Sequence, residues 1–187
     1  MGGYRRALLY AEDYDLFVRI SEQFECANLN EVGVQYRLHA QQLSLRTRRQ
    51  QTVAKLAAQA AATARRTRGV DPLDAVPEIS EPLLLEMGVT PAQLQAELFR
   101  GYQDWIKNMF LAGEYAVALT TARDVLASDS TGVDQKQIAD LRLMVGRLYW
   151  KQKKYFRGLA AACQALVVEP GLGQDLLRRF LRRFGFA

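Results

Sequence analysis

The chain has 187 residues, 49% of them apolar, with 25 basic and 20 acidic side chains and a formal charge of +5. That apolar share can bury a core without disulfides or metals, and the two distant cysteines, Cys26 and Cys163, fit reduced thiols rather than a disulfide scaffold. Met1 to Tyr10 lacks the apolar run of a signal peptide, and no stretch approaches the ~20 apolar residues of a membrane span. A cytoplasmic location is expected, with peripheral contact at the inner membrane face as the alternative.

The first element is a short acidic stretch, Ala11-Glu12-Asp13-Tyr14-Asp15-Leu16-Phe17-Val18-Arg19. It reads as an amphipathic helix running to about Phe24. Leu16, Phe17 and Ile20 fall on one side, and Asp15 and Arg19 sit at i,i+4 on another. A glycine pair, Gly2-Gly3, precedes it, and the only histidine, His39, follows. Glu25 to Asn30 and Val32 to Leu38 read as short extended segments, with Leu29, Val32, Val34, Tyr36 and Leu38 alternating around Gly33. This first unit, 1–44, is too small to be a complete domain.

Ser44 can cap the next helix, expected from Leu45 to Arg68 with Gly69 as its stop. Its apolar face is mostly alanine, so it can approach a neighbour closely. The segment is strongly basic: Arg46, Arg48, Arg49, Lys55, Arg65, Arg66 and Arg68 occur without an acidic residue. Such runs can meet phosphate-rich surfaces. This one lacks interleaved aromatics and any recognition motif, so no nucleic-acid partner is expected. Asp71 to Pro77 and Glu81-Pro82 read as a loop with turns. Residues 45–89 are therefore a connecting helix and linker.

From 90 to 187 the pattern is helical. Thr90-Pro91 reads as a cap followed by proline in the first turn. Helices are expected over about 91–112, 115–128, 134–152, 155–168 and 172–184. The last has Leu172, Leu176, Leu177, Phe180, Leu181 and Phe184 on one side and Arg178, Arg179, Arg182 and Arg183 on the other. It is read as a capping helix in preference to a membrane-surface helix.

Gly146, Tyr149, Tyr155, Gly158, Ala162, Ala165 and Pro170 have the spacing of a tetratricopeptide repeat, and this half of the chain resembles that family. Small residues at Gly146, Gly158 and Ala165 would let two antiparallel helices approach. A weaker copy lies upstream, with Tyr115, Ala118, Ala122 and Leu126 on its second helix and Met109 in place of the first-helix tyrosine. The copies are offset by about 40 positions, against ~34 for the family. The resemblance implies a helical hairpin array offering a surface to a protein partner.

The first unit resembles the C-terminal end of the catalytic domain of family-two glycosyltransferases, which have the GT-A fold. Three features carry this: Gly2-Gly3-Tyr4; Ala11-Glu12-Asp13 with Tyr14 to Ile20; and Tyr36-Arg37-Leu38-His39-Ala40-Gln41-Gln42-Leu43-Ser44. The fold expected is thus mainly α, a C-terminal piece of a GT-A α/β domain followed by tetratricopeptide-like hairpins. The resemblance implies inverting transfer of a sugar from a nucleotide-diphosphate donor to a glycan or other hydroxyl acceptor. It makes Asp13 the general base and gives Glu12 the holding of the acceptor. Gly2 and Gly3 fall in the loop near the donor sugar or acceptor, and Arg37 can pair with phosphate. His39 matches a histidine that helps hold the metal or diphosphate in some members, and a divalent cation, Mg or Mn, is implied for the full enzyme.

The donor-binding half, with its Asp-x-Asp metal motif, would lie before Gly2. Asp13-Tyr14-Asp15 has that spelling but overlaps the base motif. The expectation is a C-terminal portion of a longer enzyme, or a gene model begun at an internal methionine, which binds no cofactor and transfers no sugar by itself. The competing reading is a non-catalytic tetratricopeptide-type interaction module.

Overall fold

The computed structural model describes residues 2–35, 37, 39 and 47–174. The chain is mainly α, and no strand occurs among the described residues. A 3-10 turn, Arg6–Leu8, leads to α1, Glu12–Ser21. Then come α2, Arg48–Arg68, α3, Glu81–Glu86, and α4, Pro91–Leu111. The last three are α5, Tyr115–Ala127, α6, Gln135–Lys151, and α7, Tyr155–Val168. Two compact units result, Met1–Gly101 and Tyr102–Ala187.

In the first unit α2 is the central element. Ala54, Ala57, Ala58 and Ala61 are almost wholly buried, together with Leu8, Ala11, Leu73, Leu84, Leu94 and Leu98. Alanine leaves no long side chain between helices, so their backbones come close and the leucines fill what remains. Gly69 ends α2 in the left-handed conformation, φ 68°, and donates its N–H to Arg65 O at 3.0 Å. That is the stop expected from the sequence. Ser44, expected to cap this helix, lies outside the described residues.

Two expectations in this unit need correction. Glu81-Pro82 is not loop but the first turn of α3, where Ser80 accepts the Leu83 N–H and the proline occupies a position whose N–H needs no partner. The segments read as extended, Glu25 to Asn30 and Val32 to Gln35, form no strand. A strand needs a neighbour to receive its backbone hydrogen bonds, and none of the described residues provides one. Tyr36 and Leu38, the rest of that alternation, lie outside the described residues.

The capping pair at Thr90 is reciprocal. Gln93 N–H donates to Thr90 Oγ1 at 3.2 Å, and Thr90 N–H donates to Gln93 Oε1 at 2.7 Å.

In the second unit Trp105, Ile106, Met109, Ala118, Ala122, Leu141 and Leu148 are buried. The α6–α7 hairpin is its closest pair. A Cβ on Gly146 would lie 3.0 Å from Gly158 O, and one on Gly158 would lie 3.0 Å from Gly146 O. Both glycines are therefore required by backbone approach, as their spacing suggested. The turn between these helices repeats the turn between α4 and α5. Glu114 N–H reaches Met109 O at 2.9 Å, and Lys154 N–H reaches Tyr149 O at 2.9 Å. Gly113 and Lys153 are both left-handed, at φ 80° and 61°. An edge-to-face aromatic pair closes each turn, Phe110 with Tyr115 and Trp150 with Tyr155, centroids 5.4 and 4.9 Å apart. Beyond Pro170 the chain is again helical over 171–174, and Leu172 packs on Ala139 and Ala165. The rest of the expected 172–184 helix lies outside the described residues.

Candidate functional site

The acidic motif begins α1. Tyr10, just before it, is held at φ 73°, where a non-glycine side chain is strained. Ala11 occupies the cap position and offers no side-chain acceptor. Glu12, Asp13 and Asp15 instead bring negative charge to the positive end of the helix dipole. Asp13 is exposed, and its Oδ1 accepts the Tyr14 N–H at 2.7 Å. Glu12 is half-buried, with Oε2 enclosed and without a hydrogen-bond partner. The two carboxylates thus differ: one faces solvent, the other is partly withdrawn.

The helix buries its charged side most deeply, while of the apolar side Leu16 and Ile20 are half-buried and Phe17 is exposed. Asp15 is 0% and Arg19 5% exposed, whereas Phe17 is 66% exposed. Arg19 donates through Nε to Asp15 Oδ2 at 2.9 Å and through Nη2 to Gly3 O at 2.8 Å. This clasp joins two of the three segments singled out in the sequence, the glycine pair and the acidic helix. Gly2 takes φ 68°, a conformation that favours glycine, and a Cβ there would stand 4.0 Å from Arg19 Nη1. The positive φ, rather than crowding, accounts for that glycine.

A second set of charges ties α1 to α2 and to the loop after it. Arg5 bonds Asp71 at 2.5 Å and stands 3.7 Å from Asp15. Arg65 reaches Asp71 at 2.6 Å and Glu22 at 2.8 Å. Burial acts to raise the Asp71 pKa. The bonds from Arg5, the Leu73 N–H and Arg65 outweigh it and bring the value down to about 2. The same carboxylates hold both arginines above their ordinary pKa despite partial burial. Sequence reading missed this cluster, because Arg5 is 66 positions from Asp71 and the six-residue step from Arg65 to Asp71 crosses the end of α2, where no periodicity marks a pair.

A cavity of about 310 Å3 lies among Leu9, Tyr10, Gln50, Val53, Glu78 and Ser80, next in sequence to the acidic motif. Arg37 and His39 are both exposed. Among the described residues no hydrogen bond joins His39 to Glu12 or Asp13, and no three His, Cys, Asp or Glu side chains form a group able to hold a metal ion. The structure thus unites Gly3 with α1, and among the described residues no hydrogen bond ties His39 to that clasp. The divalent metal remains an expectation of the resemblance, and no step is assigned to it.

Cys26 and Cys163 are both exposed and free. Among the described residues no helix is long and apolar enough to cross a membrane. No protein-family model, no curated protein and no solved structure matches this chain.

Proposed function

We propose that residues 1–44 are the C-terminal part of an inverting, nucleotide-sugar-dependent glycosyltransferase domain, and that 90–187 form a tetratricopeptide-like helical extension. The observation that carries the first half is the Asp15–Arg19–Gly3 clasp. It fixes the glycine pair beside the helix that presents Asp13 to solvent, and a general base needs such a fixed position within reach of a hydroxyl. In this reading Asp13 takes the proton of the acceptor hydroxyl. That oxygen then bonds to the anomeric carbon, and the bond from this carbon to the diphosphate breaks, releasing the nucleotide diphosphate. Glu12 holds the acceptor through its other carboxylate oxygen, Oε2 being enclosed.

The exposed apolar side chains support the same reading. Phe17, Phe24, Leu29, Val32 and Val34 are 59 to 86% exposed within one short stretch. A patch of this kind marks a surface that packs against something further. The donor-binding half of such a domain is the partner proposed here.

The test begins with the DNA upstream of Met1. The expected finding is an in-frame extension encoding strands and an Asp-x-Asp motif. The extended polypeptide should release nucleotide diphosphate from one of a panel of nucleotide sugars, and Asp13→Asn should lower turnover by about 10²-fold or more. Absence of release by the extended polypeptide, or full turnover by Asp13→Asn, would overturn the assignment.

One observation favours the second reading, a non-catalytic interaction module. The 3.0 Å approach at Gly146 and Gly158, together with the recurrent turn, gives the helical unit the repeated hairpin expected of such modules. An upstream stop codon preceded by a ribosome-binding site would favour it.

A further inference from the structure

Within the helical unit a groove of about 650 Å3 runs over α6 between α5 and α7. This volume falls within the ~300–1,000 Å3 typical of ligand sites. Its floor is Val145, Tyr149 and Ala161. Each of its three helices contributes an arginine: Arg123 from α5, Arg142 from α6 and Arg157 from α7. Asp124 is the acidic side chain on its lining. Three guanidinium groups against one carboxylate leave the groove positive, although the chain as a whole is only mildly basic.

Among the described residues none of these arginines makes an ion pair. Arg142 donates Nη1 to Gln164 Oε1 at 3.0 Å, which fixes its guanidinium in the groove. Its Nε is buried and has no acceptor. That Nε is enclosed, so a ligand carboxylate in the groove meets the Nη end of the guanidinium. Arg123 and Arg157 are exposed. Planar guanidinium groups recognise carboxylates through paired N–H donors, and Tyr149 adds an amphipathic surface beneath.

We propose that this groove binds an extended acidic peptide segment, its carboxylates taken by Arg123, Arg142 and Arg157. Nothing in the sequence pattern marks the three residues, because they come from separate helices. The proposal rests on the interaction-module reading of the helical unit and supplies the chemistry of its partner. It does not depend on the glycosyltransferase assignment.

The test is fluorescence anisotropy on the full chain with a labelled peptide of alternating glutamate and alanine, at low salt. Saturable binding is expected, weakening as salt rises, with no binding of the matching lysine–alanine peptide. The double variant Arg123→Glu, Arg157→Glu should raise Kd at least tenfold. Both side chains are exposed, so its circular dichroism spectrum should match that of the parent protein. Arg142→Lys keeps the charge but loses the planar fork of N–H donors, and should weaken binding to an intermediate extent. Absence of binding to the parent protein, or equal binding by the double variant, would overturn the proposal. So would stronger competition by inorganic phosphate or an RNA oligonucleotide than by unlabelled acidic peptide, which would reassign the groove to phosphate. Binding of a neutral peptide but not the acidic one would refute the acidic partner and leave the interaction module standing.

Discussion

Gly158→Ala tests the close backbone approach of α6 and α7. Two effects oppose one another. Alanine is the better helix former, by up to about 1 kcal/mol. Its Cβ, however, would stand 3.0 Å from Gly146 O, a backbone atom of the facing helix. That is about 0.5 Å inside the optimum of ~3.5 Å for non-bonded heavy atoms. A carbonyl within a helix cannot rotate away, so α6 and α7 must separate, and core overpacking of this kind costs about 1–3 kcal/mol. The second effect is the larger, and the expected net loss is about 1 kcal/mol. In a unit of this size that lowers the melting midpoint by about 4–8 °C. Tryptophan fluorescence is the suitable assay, because both tryptophans, Trp105 and Trp150, lie in the second unit. Gly146→Ala should behave alike, since the contact is reciprocal. The double variant should cost less than the two single changes combined, because separation for one methyl makes room for the other. A midpoint at or above that of the parent protein for Gly158→Ala would refute the argument.

Gly101→Ala makes the contrasting case. Its Cβ would meet Arg48 Cδ at 3.1 Å, a side-chain atom that must give by a few tenths of an ångström, whereas Gly158 faces a helix carbonyl. Thermal melts should show a smaller loss than for Gly158→Ala, offset by up to about 1 kcal/mol of helix propensity. Asp71 links the first unit to pH. Its folded pKa of about 2 lies below the ordinary 3.8, so its stabilisation is complete above pH 3.8, declines as pH falls, and is gone below about 2. The shift corresponds to about 2 kcal/mol. Asp71→Asn should remove that amount at pH 7 and flatten this stretch of the profile. The measurement is the urea transition followed by far-UV circular dichroism as a function of pH. Arg19→Met strands the Asp15 carboxylate and frees Gly3 O; breaking a buried pair costs about 3–5 kcal/mol. Arg5, 3.7 Å from Asp15, should hold the loss to the low end. Hydrogen exchange should then show faster-opening amides in α1, and unchanged protection would contradict the clasp.

The helical half was legible because its signals are local. Thr90-Pro91 at the start of α4 and the small residues at Gly146 and Gly158 each determine structure within a few positions or across one hairpin. The alanine face of α2 was legible for the same reason. The short helix at Glu81–Glu86 was missed because its proline was taken for a loop mark rather than as the start of a turn capped by Ser80. In the candidate site the residues were legible and their arrangement was not. Periodicity separates the two faces of α1 but does not say which one is buried. Leu16, Phe17 and Ile20 mark an apolar side, and the structure buries the charged one most deeply.

That burial has a physical cause, and the cause bears on function. Asp15 and Arg19 can be buried because Gly3 O and Arg5 meet them, and both partners come from the segment just before the helix. Neither could be inferred from an i,i+4 spacing, which fits an exposed pair equally well. The opposite side of α1 still carries Phe17, 66% exposed, and the following residues carry Phe24 and Leu29, 59 and 77% exposed. A helix whose charged side is satisfied inside its own unit, and whose aromatic side is not, has the pattern of an element lying between two layers. The described residues supply one of those layers. On the proposed reading, a second layer set against Phe17, Phe24 and Leu29 would place Asp13, at the start of the same helix, at the edge of the new interface, within reach of a substrate bound there.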